Sequence, residues 1–221
     1  MPTPSISFAG GRTSSSSGER FWRLYAAIYD WTWDNALVVE IRDEVAGRLA
    51  RPDVVLEVGS GTGLLTRTLS AASCLVCVDM SLDMMHRAAI GSGVHGICGD
   101  AQRLPIADDV ADVVVATNLI HLLPDPATAV SEMLRTAKQG GSVILTWPDP
   151  AIRVSAVCRH LRARDGLPSA ARFIAGHVAL SGIRLLARAP RLVPVPPEVE
   201  SGSQPIAGGL QRLAVLTRSA A

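Results

Sequence analysis

The stretch Val54-Val55-Leu56-Glu57-Val58-Gly59-Ser60-Gly61-Thr62-Gly63-Leu64-Leu65 constrains the fold more than any other part of the chain. Its apolar, β-branched opening reads as a buried strand, its alternate glycines as a tight turn, and its last residues as the start of a helix. Glycine in such a turn reaches backbone angles closed to other residues and lets a ligand approach the main chain. A second apolar run, Cys74-Leu75-Val76-Cys77-Val78, ends on Asp79. A strand, a glycine turn, a helix and a second strand closing on a carboxylate are the beginning of an α/β sheet, with its ligand at the carboxyl ends of the strands.

The alternation continues downstream. Strands are expected at Val94–Cys98, Ala111–Thr117 and 142–147, and helices at 63–70, 81–90 and 125–137. Ser81 suits an N-cap, and Pro126 suits a first helical turn. Runs such as Val113-Val114-Val115 fit central parallel strands buried on both faces. Upstream, 19–34 carries Trp22, Tyr25, Tyr29, Trp31 and Trp33, with Trp22, Tyr25 and Tyr29 on one helical face, and 35–50 continues with helical apolar spacing. After Pro148, helices are expected at 151–164 and 170–181. A short strand is expected within each of 184–195 and 210–217, with a proline-rich loop (Pro194, Pro196, Pro197, Pro205) between them. Residues 1–18, rich in Ser, Pro and Gly, read as a disordered tail, and 19–221 as one domain.

Composition narrows the possibilities further. At 221 residues and 48% hydrophobic, the chain has enough material for one large core. A net charge of +1 gives no global field toward nucleic acid. No apolar run reaches membrane-span length and no signal-type apolar region opens the chain, so a cytoplasmic location is expected. Cys74 and Cys77 form a C-x-x-C, but on an extended strand that spacing sends the two side chains to opposite faces, so no metal site is expected. Arginine outnumbers lysine twenty to one, and residues 153–191 hold eight arginines against Asp165 alone. This region could meet a phosphate, a carrier protein or an anionic membrane, or simply be solvated helix surface.

The glycine spacing bears on the ligand. A dinucleotide fingerprint is G-x-G-x-x-G, whereas here Leu64 holds the sixth place and Gly63 arrives one position early. Glu57 beside the turn would repel a pyrophosphate and attract an ammonium, so a ligand with an amino-acid end fits better. Asp79 is placed to accept from both hydroxyls of a ribose.

These features, with Gly99-Asp100-Ala101-Gln102 and Asp112-Val113-Val114-Val115-Ala116-Thr117-Asn118-Leu119-Ile120-His121, resemble the class I S-adenosylmethionine-dependent methyltransferases, in particular those of quinone-pathway and small-molecule type. The resemblance covers 54–147 well and the ends loosely. It implies a Rossmann-like three-layer sandwich with a mostly parallel seven-stranded sheet and a C-terminal antiparallel strand. It also implies S-adenosylmethionine as cofactor and S-adenosylhomocysteine as product. The cofactor contacts it implies are Tyr29, Glu57, Gly59, Ser60, Gly61, Thr62, Gly63, Asp79, Met80, Asp100, Ala101, Gln102 and Asn118, with Asp100 at the adenine.

Trp22 to Asp30 is similar to the lid helix of quinone-pathway and phospholipid methyltransferases, which implies a helical lid over 19–50 with Tyr25 and Trp22 toward the acceptor. Residues 151–183 would form a helical substrate side. His121, after the fourth strand, is the candidate base or substrate contact. The expected activity is methyl transfer to a small or amphiphilic acceptor, as in secondary metabolism. The alternative is a cyclase or isomerase of the same fold that binds the cofactor without transferring methyl. The nucleic-acid motif Asn/Asp-Pro-Pro-aromatic is absent after the fourth strand, so no nucleic-acid partner is expected, and a homodimer is compatible with the chain.

Overall fold

The computed structural model describes residues 6–8, 17–49, 52–69, 72, 74–88, 93–186 and 194–219. In chain order the elements are β1 (Ile6–Phe8), α1 (Ser17–Ala26), α2 (Tyr29–Trp33), α3 (Ala36–Ala46), β2 (Val54–Val58), α4 (Thr66–Leu69), β3 (Cys74–Asp79), α5 (Leu82–Met85), β4 (Val94–Cys98), β5 (Ala111–Thr117), α6 (Pro126–Thr136), β6 (Ala137–Pro148), α7 (Val154–Asp165), α8 (Leu167–Leu186), α9 (Pro197–Ser201), β7 (Gln204–Ile206) and β8 (Gln211–Thr217).

The strands lie in the order β1-β4-β3-β2-β5-β6-β8-β7. β1 to β6 pair in parallel, and β8 runs antiparallel between β6 and β7. This is the expected mostly parallel sheet with an antiparallel C-terminal strand, extended by short edge strands. β1 lies within the segment read as a tail. β7 contains Pro205, where the sequence predicts a loop; an edge strand accommodates proline because one of its sides needs no ladder donor. The strand expected within 184–195 is not seen in the described part: 184–186 continue α8, and 187–193 lie outside the described residues.

The central strands β2, β3, β5 and β6 are apolar on both faces, and the two faces feed two cores. Val55, Leu75, Cys77, Val113, Val115, Ile144 and Leu213 pack beneath α3, α7 and α8 through Leu37, Ile41, Leu161 and Phe173. Leu56, Val58, Val78, Val114, Ala116, Leu145 and Trp147 face α6 and α9 through Ala129, Met133 and Val199. Cys74 and Cys77 are free thiols. At the amino ends of the strands, the Asp112 carboxylate accepts from Val54 N at 2.9 Å and Lys138 Nζ at 2.6 Å, joining β2, β5 and β6. The order reverses between β2 and β5, because the chain runs outward from β2 through β3 to β4 and then returns to begin β5 on the other side of β2. That reversal opens a crevice at the carboxyl ends of these strands.

Helix boundaries follow local chemistry. Asn35 caps α3 through Leu37 N and Val38 N, Ser81 caps α5 through Met84 N, and Asp125 caps α6 through Thr128 N. Gly166, at φ +84°, separates α7 from α8. The single helix expected from Trp22, Tyr25 and Tyr29 breaks after Ala26, so Tyr29 begins α2. The helix expected at 63–70 is only the single turn of α4, because the glycine loop takes up the residues before it.

Candidate functional site

The loop between β2 and α4 forms one wall of the crevice. Gly59, Gly61 and Gly63 have φ of +73°, +55° and +78°, the left-handed region where glycine is favoured. Around Gly61 the space that a side chain would take is open, with no atom within 4 Å. Gly59 differs, since a Cβ there would meet Leu119 Cδ1 at 2.9 Å. Leu119, from the loop after β5, therefore closes over the first turn of the glycine loop, while Gly61 stays accessible.

Asp79, at the end of β3, holds this loop in place. Its Oδ2 accepts from Gly61 N at 2.8 Å and its Oδ1 from Ser81 N at 2.8 Å. Each oxygen keeps a further lone pair for another donor. Burial raises the carboxyl above its ordinary range, and the two backbone N–H groups pull it back. Glu57 lies beneath the loop and is 2% exposed. Its Oε2 accepts from Thr66 Oγ1 at 2.6 Å and from Cys77 Sγ at 3.5 Å, and burial pushes its carboxyl up to about 7.

A third carboxylate comes from the N-terminal helices. Asp30 accepts from the Thr62 hydroxyl, and Arg67 stands 3.9 Å from its other oxygen. Tyr29 is brought near the same carboxylates: its hydroxyl is raised well above the ordinary phenol range by burial, then by Tyr25, Asp79, Asp30 and Glu57. α2 thus closes over the crevice from above. Beneath it, Phe21, Tyr25, Ala26 and Met84 form a small separate core with Trp22 at its edge.

The rest of the expected site is distributed around the crevice. Ser60 and Thr62 are buried in the loop, and Met80 is exposed just past Asp79. Asp100 is exposed after β4, where it accepts from Gln102 N at 2.9 Å; Gln102 Oε1 accepts from Asp125 N, and Ala101 is buried. Asn118, at φ +52°, and His121, on a single 3-10 turn over Ile120–Leu122, follow β5. Asn118 Oδ1 and His121 Nδ1 are both buried without a hydrogen-bond partner. Burial pushes the His121 imidazole down to about 4, so it is neutral near pH 7.

Two expected contacts are occupied within the fold. Tyr25 is buried, and its hydroxyl accepts from the Trp33 indole, which commits its side chain to the α1–α2 core. Glu57 turns toward Thr66 and Cys77 under the loop. Asp30, Thr66 and Leu119 join the site without being among the residues that the sequence points to. Asp30 carried a visible signal as the second residue of the Tyr29-Asp30 pair, whereas Thr66 and Leu119 acquire their roles only when β2, β3 and β5 come together.

Residues 56–145 match a family described as a methyltransferase domain. The chain is 34% identical over 126 residues to the phosphatidylethanolamine N-methyltransferase of Cereibacter sphaeroides, covering 54% of this chain and 62% of that protein. It is 30% identical over 145 residues to the chloroplastic 2-methyl-6-phytyl-1,4-hydroquinone methyltransferase of Arabidopsis thaliana, covering 58% and 41%. It therefore spans less than two thirds of the length of either relative. A Methanococcus maripaludis protein assigned to the S-adenosyl-L-methionine-dependent methyltransferases shares the fold at a TM-score of 0.60 and 17% identity, over 96% of this chain and 99% of that one. Residues 56–145, which hold the glycine loop and the carboxylate that ends β3, thus match the methyltransferase domain family, and the chain has the fold of S-adenosylmethionine-dependent methyltransferases.

Proposed function

We propose that this chain binds S-adenosylmethionine in the β2–β5 crevice and transfers its methyl group to a small, amphiphilic acceptor. The observation that carries the reading is the Asp79–Gly61 arrangement: a half-buried carboxylate with spare lone pairs holds an open, left-handed glycine turn. When bound, the cofactor supplies an electrophilic methyl group on a sulfonium. The residues present fit such a ligand. Asp79 would take the ribose hydroxyls, Ser60 to Gly63 would run beside the amino-acid end, and Asp100 with Ala101, Gln102 and Met80 would border the adenine. Asp30, joined by Glu57 as it ionises above about pH 7, makes that end of the crevice negative, which favours an ammonium and a sulfonium.

On the acceptor side, Asn118 and His121 carry buried polar atoms that lack partners. A buried group without a partner is costly, so an acceptor that offers a hydrogen bond there gains affinity and orientation. The neutral His121 imidazole accepts that bond or takes the acceptor's proton. The residues' contribution is mainly positioning, which can be worth about 7–11 kcal/mol of barrier. The helices over 19–50 act as a lid through Tyr29 and Asp30, and the helices over 151–183 form the substrate side. The amphiphilic preference is supported by relatives named for a phospholipid and for a prenylated quinol, together with the apolar α1–α2 cluster.

Calorimetric titration with S-adenosylhomocysteine tests the reading, followed by transfer of isotope-labelled methyl to candidate lipids and quinols. Asp79→Ala is expected to weaken binding at least about 100-fold, because it removes both the loop's anchor and the ribose acceptor. A wild-type chain without affinity for the nucleoside ends the proposal. Tight binding with product formation but no methyl transfer ends the transfer step alone.

A further inference from the structure

The most conspicuous surface feature outside the crevice is α8. Ser169, Ala170, Phe173 and Gly176 turn inward, buried. The outer side presents Leu167, Ala171, Ile174, Ala175, Val178 and Ala179, with Leu167 62%, Ile174 48% and Val178 67% exposed. Helical spacing lays these on one strip about 18 Å long that contains no charged residue. Leu24 and Trp31, on the helices packed against α8, are also exposed, at 41% and 48%. α8 itself carries the half-buried Arg172, and α7, the helix that packs beside it, carries exposed Arg159 and Arg162. Among the described side chains of 153–182 there are five arginines and one acid, Asp165, with Arg164 held by Glu40 of α3 at 3.1 Å.

We propose that this face docks the protein onto an anionic lipid bilayer. The α8 strip lies in the interfacial zone, with the α7 and α8 arginines against the headgroups. An uncharged apolar strip accompanied by arginines is the pattern of a helix lying in the membrane plane. Among the described residues no helix is long and apolar enough to cross a membrane, so the contact is one of surface docking. A second copy of this chain fits less well, because a two-fold interface through α8 would bring the same arginines face to face.

The strip is also mechanically joined to the crevice. Trp33 meets Phe173 edge-on at 5.5 Å, a Cβ on Gly176 would collide with Thr32, and the next residues back along α2 reach Asp30, which accepts from Thr62 of the glycine loop. Docking at α8 therefore holds the crevice close to the lipid surface. The proposal stands on the α8 surface and holds whether or not the chain transfers methyl groups.

Co-sedimentation of the full chain with vesicles tests it, comparing phosphatidylcholine alone with phosphatidylcholine containing about 40% phosphatidylglycerol, at low and high salt. Binding to the anionic vesicles alone, weakened by salt, is expected. Ile174→Glu/Val178→Glu should cut the bound fraction at least about ten-fold, and Arg159→Glu/Arg162→Glu should cut it comparably, each with unchanged circular dichroism. Since all four side chains are exposed or partly so at the surface, unchanged affinity for S-adenosylhomocysteine provides a second check on folding. Equal binding to both vesicle types, or full binding by both variants, overturns the proposal. So does a wild-type dimer that Ile174→Glu/Val178→Glu dissolves without any vesicle binding, and so does capture by a polyglutamate matrix with none by vesicles, which would assign the face to an acidic protein.

Discussion

Glu57 makes the stability of this protein depend on pH in an unusual direction. Most buried carboxylates are paired with cations and stabilise the fold as they ionise. Among the described residues Glu57 instead accepts from a hydroxyl and a thiol, and burial raises it from an ordinary 4.5 to about 7. The unfolded chain releases this proton near pH 4.5, whereas the folded chain keeps it until about pH 7. Between those values the folded state binds more protons, so stability falls as pH rises through the window and levels off, for this group, above it. The cost at pH 8 is about 3 kcal/mol. Glu57→Gln keeps an acceptor for Thr66 and cannot ionise. It should match the wild type near pH 4.5 and exceed it by about 3 kcal/mol at pH 8, a gap of about 6–12 °C in Tm for a chain of this size. Thermal unfolding of both proteins from pH 4.5 to 8.5 measures the gap. Asp79, whose carboxyl is also raised, is common to both proteins and cancels in the comparison. Parallel curves, with the same gap at every pH, would refute the reasoning.

Three further substitutions probe other parts of the site. Gly61→Ala introduces a side chain at φ +55° with no steric neighbour, so unfolding should show a cost of only about 1–2 kcal/mol, while nucleoside affinity measured by calorimetry falls at least about ten-fold. His121→Asn should lower turnover about 10–100-fold with the nucleoside affinity kept. Because burial holds the imidazole at about 4, the wild-type rate profile should show no limb from His121 between pH 5.5 and 9; a limb near pH 6.5 that disappears in His121→Asn would contradict that burial. Gly176→Ala forces its Cβ against Thr32 where α8 crosses α2, and should cost about 1–3 kcal/mol in chemical denaturation.

The parts of the fold that could be read in the sequence are those encoded locally. Val54–Val58 and Ala111–Thr117 match their expected bounds, because near-continuous apolar runs between turn residues define buried parallel strands without reference to their neighbours; Val94–Cys98 also matches, although it carries His95 and Gly96. The cap at Ser81 and the Pro126 entry of α6 are local in the same sense. The edge strands Ile6–Phe8 and Gln204–Ile206 were not found: three residues give no periodicity, and each exists because an adjoining strand offers a free ladder. Within the site, Asp79 and the glycines carry a spacing signature. The Asp30–Thr62 bond joins residues 32 apart in sequence, and it depends on a helix break after Ala26 that the regular aromatic spacing concealed.

The crevice also favours one ligand charge over another. Glu57, Asp79 and Asp30 surround the glycine loop, and they add to the rise that burial and then Tyr25 impose on the Tyr29 hydroxyl. Arg67 stands 3.9 Å from Asp30, with both side chains a little under half exposed. A phosphate entering here would meet three carboxylates. It would also gain little from the helix that follows, since the single turn of Thr66–Leu69 has almost no dipole to offer. A cation entering here would lower the cost of ionising Glu57 and Asp79, so its binding should release protons near pH 7. Calorimetry in two buffers of different ionisation enthalpy reads that release directly. Release that vanishes in Glu57→Gln would assign it to the buried carboxyl beneath the loop. Binding without release would mean that the ligand's charge lies elsewhere, and the electrostatic case for a sulfonium nucleoside over a dinucleotide would then rest on glycine spacing alone.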